Sequence, residues 1–132
     1  MMKLWRIPVL LIALLGTNLS VMAKDNHPIM YKGVYTVGFE VNAFTPCNDT
    51  KDYWLYSEND ALADIDANLL DQIANGKGDE PYLSVYLEFD GVNEGKSDGD
   101  GFDGEYDGVI NASKVRLSSK VIPNNCKSTL TK

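Results

Sequence analysis

Histidine is almost missing from this chain: His27 is the only one in 132 residues. Cysteine is scarce too, with Cys47 and Cys126 alone. Neither cysteine has a C-x-x-C neighbour and neither lies near His27, so zinc and thiol-redox sites find no ligand set. No G-x-S-x-G, H-E-x-x-H or phosphate-binding loop occurs. His27 stands beside Pro28 with no nucleophile in a recognisable motif, and the chain reads as non-enzymatic. Basic residues are outnumbered, 12 Lys and Arg against 19 Asp and Glu, for a net charge of −7. A surface of that sign repels phosphate, and no basic patch offsets it, so no nucleic-acid partner is expected. Long apolar runs are missing as well. Ile7–Leu15 falls short of the ~20 residues that cross a bilayer.

That short run is informative in another way. Lys3 and Arg6 precede it, and Val21-Met22-Ala23 follows with the small residues a cleavage site requires. The pattern is that of a secretory signal peptide over residues 1–23, cut after Ala23. No cysteine lies near the cut, so no lipid anchor is available and no stable membrane anchor is expected after cleavage. The remainder has the size of one small domain. In an oxidising compartment the cysteine pair reads as a disulfide, Cys47 to Cys126, tying the tail to the early part of the domain. Free thiols are the alternative.

Periodicity outlines the domain. Residues 24–32 read as a polar, disordered lead. Gly33–Phe44 alternates, with Tyr35, Val37, Phe39, Val41 and Ala43 on one face, and reads as a single strand with a bend at Gly38. Tyr53–Ser57 is a short aromatic strand. Leu62, Ile65, Leu69 and Ile73 recur at helical spacing. Ser57 and Asp60 have a capping arrangement and Gly76 a stop signal, which predicts a helix over Glu58–Asn75. Pro81–Gly91 alternates again, with Leu83, Val85, Leu87 and Phe89 inward. Tyr106–Ile110 and Lys114–Ser119 read as two further strands broken at Asn111-Ala112-Ser113, and residues 123–132 as a tail. One helix between sets of strands predicts a mainly β domain over residues 33–122, a small closed or nearly closed sheet plugged by the helix.

The order of short motifs adds to this. Gly33-Val34-Tyr35, Phe44-Thr45-Pro46-Cys47 and Tyr53-Trp54-Leu55 come first. A Leu-bearing helix, Val85–Gly91, a Gly-rich loop and the final Val115-x-Leu117 follow. Together they resemble the OB-fold-like C-terminal domain of NlpE-type envelope lipoproteins and their relatives. That resemblance implies a five-stranded OB-like Greek-key barrel, a periplasmic location in a Gram-negative bacterium, and no enzyme activity. The anchoring cysteine and the copper-associated domain of those lipoproteins have no counterpart here, so neither copper handling nor membrane-tethered stress sensing carries over.

Two stretches are candidate sites. Asp98–Gly108 carries Asp98, Asp100, Asp103, Glu105 and Asp107 among four glycines. Calcium takes six to eight oxygen ligands, and Asp/Gly loops supply them. The EF-hand rhythm nevertheless fails, because Phe102 and Asp103 stand where an oxygen ligand and then glycine are required. What remains is either a hydrated strand connection or a weak calcium site at Asp98, Asp100, Asp103 and Glu105. No other cofactor is implied. The second candidate is aromatic: Tyr53, Trp54, Tyr56, Tyr82 and Tyr86 lie on strands. They form either a stacking face for a ligand or ordinary cross-strand packing. Glu40 and Glu88 read as solvated acids rather than a catalytic pair. The expectation is a soluble periplasmic or secreted binding or interaction module, with an envelope protein, peptide or glycan as partner. The alternative is a calcium-dependent structural module built on Asp98–Asp107.

Overall fold

The computed structural model describes residues 27–76 and 81–126. The expected signal peptide, the start of the lead and the last six residues lie outside them. Five strands and one helix follow in order: β1 (Ile29–Gly38), β2 (Val41–Pro46), β3 (Tyr53–Tyr56), α1 (Ala63–Ala74), β4 (Tyr82–Gly95) and β5 (Gly108–Ser119). The strands close into a ring in the order β1-β2-β3-β5-β4, with β1 pairing β4 to complete it. Every pairing is antiparallel except that of β3 with β5. This is a small mainly β barrel with OB-like strand order, as the periodicity and the resemblance predict.

Alternation puts one apolar residue in two into the ring. Tyr35 and Val37 of β1, Phe44 of β2, Leu55 of β3, Leu87 and Phe89 of β4, and Ile110 and Ala112 of β5 are all essentially inaccessible. Each large apolar side chain buried this way contributes roughly 1.5–3 kcal/mol. Phe89 is the hub of an aromatic group. Tyr31 stacks on it at 5.4 Å and Phe44 meets it edge-on at 4.9 Å. Leu62 and Leu69 bring α1 onto this core. Near that contact Tyr35 Oη donates to Asp66 Oδ1 (2.7 Å) and accepts from Asn42 Nδ2 (2.8 Å). At Gly33 the neighbouring strand comes so close that a Cβ would lie 2.2 Å from the Thr45 carbonyl oxygen, so only glycine fits.

Several boundaries differ from the sequence reading. The supposed single strand Gly33–Phe44 is a hairpin with Phe39 and Glu40 at its tip. Phe39 therefore points away from the core and is 82% exposed. The lead is shorter than expected, since Ile29–Lys32 already pair with β4. The helix begins at Ala63 rather than Glu58. Residues 58–62 form a turn instead, in which Ser57 Oγ accepts from the Ala61 N–H (2.7 Å) and Asp60 has φ +61°. β4 runs on to Gly95, and β5 passes through residues 111–113 without a break. β-Bulges absorb the mismatch between these two long strands near Phe89, Gly91 and Gly95. The disulfide forms as expected, joining Cys47 after β2 to Cys126 after β5.

Candidate functional site

β1 is buried on both faces from Gly33 to Gly38, so a second layer covers the outside of the barrel. Register defines the floor of that layer. Ser84, Thr36, Ala43, Trp54 and Val109 form one outward-facing row across β4, β1, β2, β3 and β5. Thr36 and Ala43 are almost wholly buried although they point outward. The small residues leave room for aromatic side chains. At Gly38 the Tyr82 ring lies where a Cβ would be, 2.2 Å from its position. Tyr106 meets Trp54 edge-on, with ring centroids 5.5 Å apart.

Tyr106 belongs to the β4–β5 connection, residues 96–107. That connection does not extend into solvent as a simple loop. It makes one 3-10 turn at Phe102–Glu105 and returns to β3. The Asp107 N–H donates to the Asp52 carbonyl (2.9 Å), and the Asp52 N–H donates to Asp107 Oδ2 (3.0 Å). Thr45 Oγ1 donates to the Asp52 carboxylate, tying the clasp to β2. Burial raises the Tyr106 pKa, and Asp52, Glu105 and Tyr82 add to the shift. Tyr106 is thus a neutral phenol held against the barrel.

Between this connection and β3 lies a groove of about 470 Å³. Trp54 and Tyr56 form one wall and Glu94, Lys96, Ser97 and Asp103 the other. Tyr56 Oη donates to Glu94 Oε1. That bond, then burial, then the charges of Glu94 and Glu58 push the Tyr56 pKa up to about 12. The phenol stays protonated and holds the Glu94 carboxylate in one orientation at the groove wall. A second depression of about 250 Å³ lies on the helix side of the same two aromatics. Asn42, Ser57, Asp60 and Asp66 line it.

The predicted ligand residues therefore divide. Trp54 and Tyr56 face outward on β3 and share both depressions. Tyr53 does not join them, because strand alternation turns it inward to pack on the core. Tyr82 lies on the same outer layer as Trp54, across β1 and β2. Tyr86 stands apart, opposite Val34 and Ser119, and its hydroxyl donates to Glu88 (3.1 Å). The five do not form one face, because Tyr53 points inward and Tyr86 lies on β4, separated from β3 by β5. Tyr106, which the sequence reading placed in a strand, is the aromatic that completes the group.

The acidic loop is likewise dispersed. Asp98, Asp100 and Glu105 are exposed, Asp103 lines the groove and Asp107 serves in the clasp. Among the described residues no three His, Cys, Asp or Glu side chains come together in a way that could hold a metal ion. Phe102 is about half exposed and does not join the core. Glu40 sits at the β1–β2 tip, while Glu88 pairs with Lys32 at 3.3 Å, so these two acids form no pair.

No family model, curated protein or solved structure matches this chain. Nothing in these comparisons identifies an NlpE-type domain.

Proposed function

We propose that this chain is a non-enzymatic binding module of an exported, periplasmic or secreted protein. Its ligand enters the groove between β3 and the β4–β5 connection. The observation that carries this reading is the coincidence of an OB-like barrel with Trp54 and Tyr56 on the outer face of its third strand, under that connection. OB barrels bind extended polymers on the face of strands 2 and 3, flanked by the β1–β2 and β4–β5 loops. Aromatic stacking supplies roughly 1–3 kcal/mol per contacted ring in such sites. An excess of acids in the chain argues against nucleic acid as that polymer. Export is supported by the basic and apolar start of the sequence and by the Cys47–Cys126 bridge. The NlpE-type resemblance supports an envelope role in the same way.

The test is a ligand screen read at the site. Short oligosaccharides and peptides are titrated into the 15N-labelled protein while the indole N–H of Trp54 is followed. A ligand of the groove moves that resonance and those of residues 94–97, and Trp54→Ala abolishes its binding. Ligands bound with undiminished affinity by Trp54→Ala would exclude the groove as the site.

A further inference from the structure

The two depressions beside β3 are best understood together. Trp54 and Tyr56 belong to both, so the rings form a ridge with one hollow on the β4–β5 side and one on the helix side. Glu94 and Asp103 line the first hollow; Asp60 and Asp66 line the second. Among the described residues that line the two hollows, the one cation against these four carboxylates is Lys96, exposed in the first. Glu58 adds a further negative charge close to Tyr56. Asp66 is only partly available as an acceptor, since burial raises its pKa and the Tyr35 hydroxyl occupies one oxygen. Glu94 is different: the neutral Tyr56 phenol orients it beside the aromatic ridge.

We infer that the groove recognises an extended basic peptide, placing one cationic side chain in each hollow on either side of the Trp54–Tyr56 ridge. This rests on the binding-module reading above and names its ligand class. The chemistry is that of a cation between aromatic rings and carboxylates. Indole is the best of the aromatic faces for such a contact, and guanidinium its most frequent partner. The carboxylates supply charge-assisted acceptors for the same group. An extended chain also suits the site better than a single small cation, because two hollows lie along one ridge. The overall charge of −7 favours the approach of such a partner from a distance.

The experiment uses an acetylated, amidated pentapeptide with arginine at its second and fourth positions. A citrulline version keeps the shape and loses the charge, and chitotetraose represents the neutral glycans. Binding is read from the Trp54 indole N–H, assigned by its disappearance in Trp54→Phe. The arginine peptide should bind, with the citrulline peptide weaker by roughly tenfold or more. Glu94→Gln and Asp60→Asn should each weaken it roughly two- to fivefold, and Lys96→Gln should tighten it by a similar factor. Gln can still accept from Tyr56, and Asn tolerates the left-handed backbone of residue 60, so these variants should keep the wild-type unfolding midpoint. Raising the ionic strength to about 1 M, where screening acts over about 3 Å, should release the peptide. Equal affinity for the citrulline peptide, or affinity indifferent to Glu94→Gln and Lys96→Gln, overturns the inference. So does binding of chitotetraose with neither peptide bound, although that outcome leaves the groove standing as the site of the module.

Discussion

The edge of the Tyr106 ring rests against Trp54, at an interplanar angle of 62°. A residue of the acidic connection thereby fixes the position of the one tryptophan on the barrel's outer face, and with it the groove wall. Tyr106→Ala should destabilise the domain by about 1–3 kcal/mol, combining the lost ring pair with lost burial. Urea unfolding measures this. Hydrogen exchange should show faster opening confined to residues 96–107 and 52–54. Global acceleration without that local signature would mean that the connection folds independently of the ring contact.

The Cys47–Cys126 bridge spans 79 positions. In the loop-entropy account it stabilises the fold by at most about 4–5 kcal/mol. That is a large share of the ~5–15 kcal/mol typical of a small domain. Reduction, or the Cys47→Ala/Cys126→Ala pair, should lower the unfolding midpoint sharply, as thermal scans with and without reductant would record. An unchanged midpoint would show that the terminal segment contributes nothing to barrel stability.

Asp66 gives a pH dependence of definite sign. Burial raises its pKa above the ordinary carboxylate value, and the hydrogen bond from Tyr35 only partly opposes this. The stability linked to its protonated form is fully present below the unfolded pKa and is lost as pH rises through the raised one. Asp66→Asn should erase that decline and match or exceed the wild type at neutral pH, since Asn also accepts from Tyr35. Unfolding midpoints from about pH 3 to 7 test it. A large loss on Asp66→Asn at neutral pH would show that the charge itself is required.

Tyr56 should titrate late. Its hydroxyl is held by Glu94, which pushes the pKa up to about 12. Stability from this contact is complete below the ordinary phenol value and disappears as pH rises through about 12. Buried Tyr35 and the half-buried Tyr31 and Tyr106 also ionise late, so ultraviolet difference titration should show one late-ionising phenol fewer in Tyr56→Phe than in the wild type. An unchanged number of late-ionising phenols in that variant would show that Glu94 does not hold the Tyr56 hydroxyl.

Glu40 occupies a position that suits glycine. It has φ +59° at the β1–β2 tip, where a side chain costs about 1–2 kcal/mol of backbone strain. Glu40→Gly should raise stability by up to about 1 kcal/mol after the entropy of glycine is subtracted. Chemical denaturation decides it; a loss of stability would reveal an interaction of the Glu40 side chain that offsets the strain.

The same hairpin explains what the sequence conceals. A two-residue turn reverses parity, so Tyr35, Val37 and Phe44 point inward while Val41 and Ala43, expected on the same face as Val37, point outward. In the sequence the apolar spacing of Val37, Phe39 and Val41 nevertheless runs straight through the tip. With Glu40 rather than glycine at the positive φ, no turn residue marks the reversal. At the other end, Ala112 keeps the inward rhythm of Ile110 across residues 111–113, which a turn reading of Asn and Ser misses. The barrel, the helix core positions and the Cys47–Cys126 bridge were legible because burial enforces period and because the only two cysteines have no metal-ligand or C-x-x-C spacing. The site was half legible. Trp54 and Tyr56 stand out in a strand, but which strands are neighbours depends on the crossover of β5 between β3 and β4. Sequence spacing carries no trace of that crossover, and so Tyr86 joined a face it does not share. Tyr53 was misplaced for a simpler reason, since alternation along β3 turns it inward, away from Trp54 and Tyr56. Tyr106 was hidden for a related reason, since only the clasp between Asp52 and Asp107 reveals that the acidic connection turns back.

β5 pairs with β3 over Gly108–Asn111 and with β4 along most of its length, so it is the strand through which the two halves of the ring meet. β4 and β5 are consecutive strands, but the pairing of β3 with β5 joins segments distant in the chain, and such contacts form late because their loop-closure entropy must be met first. The groove borrows one wall from each half, Trp54 from β3 and Glu94 from β4. It therefore comes into being only when the ring is sealed. A chain still folding presents neither the ridge nor its flanking acids, so a ligand of the proposed groove would report that the barrel is finished.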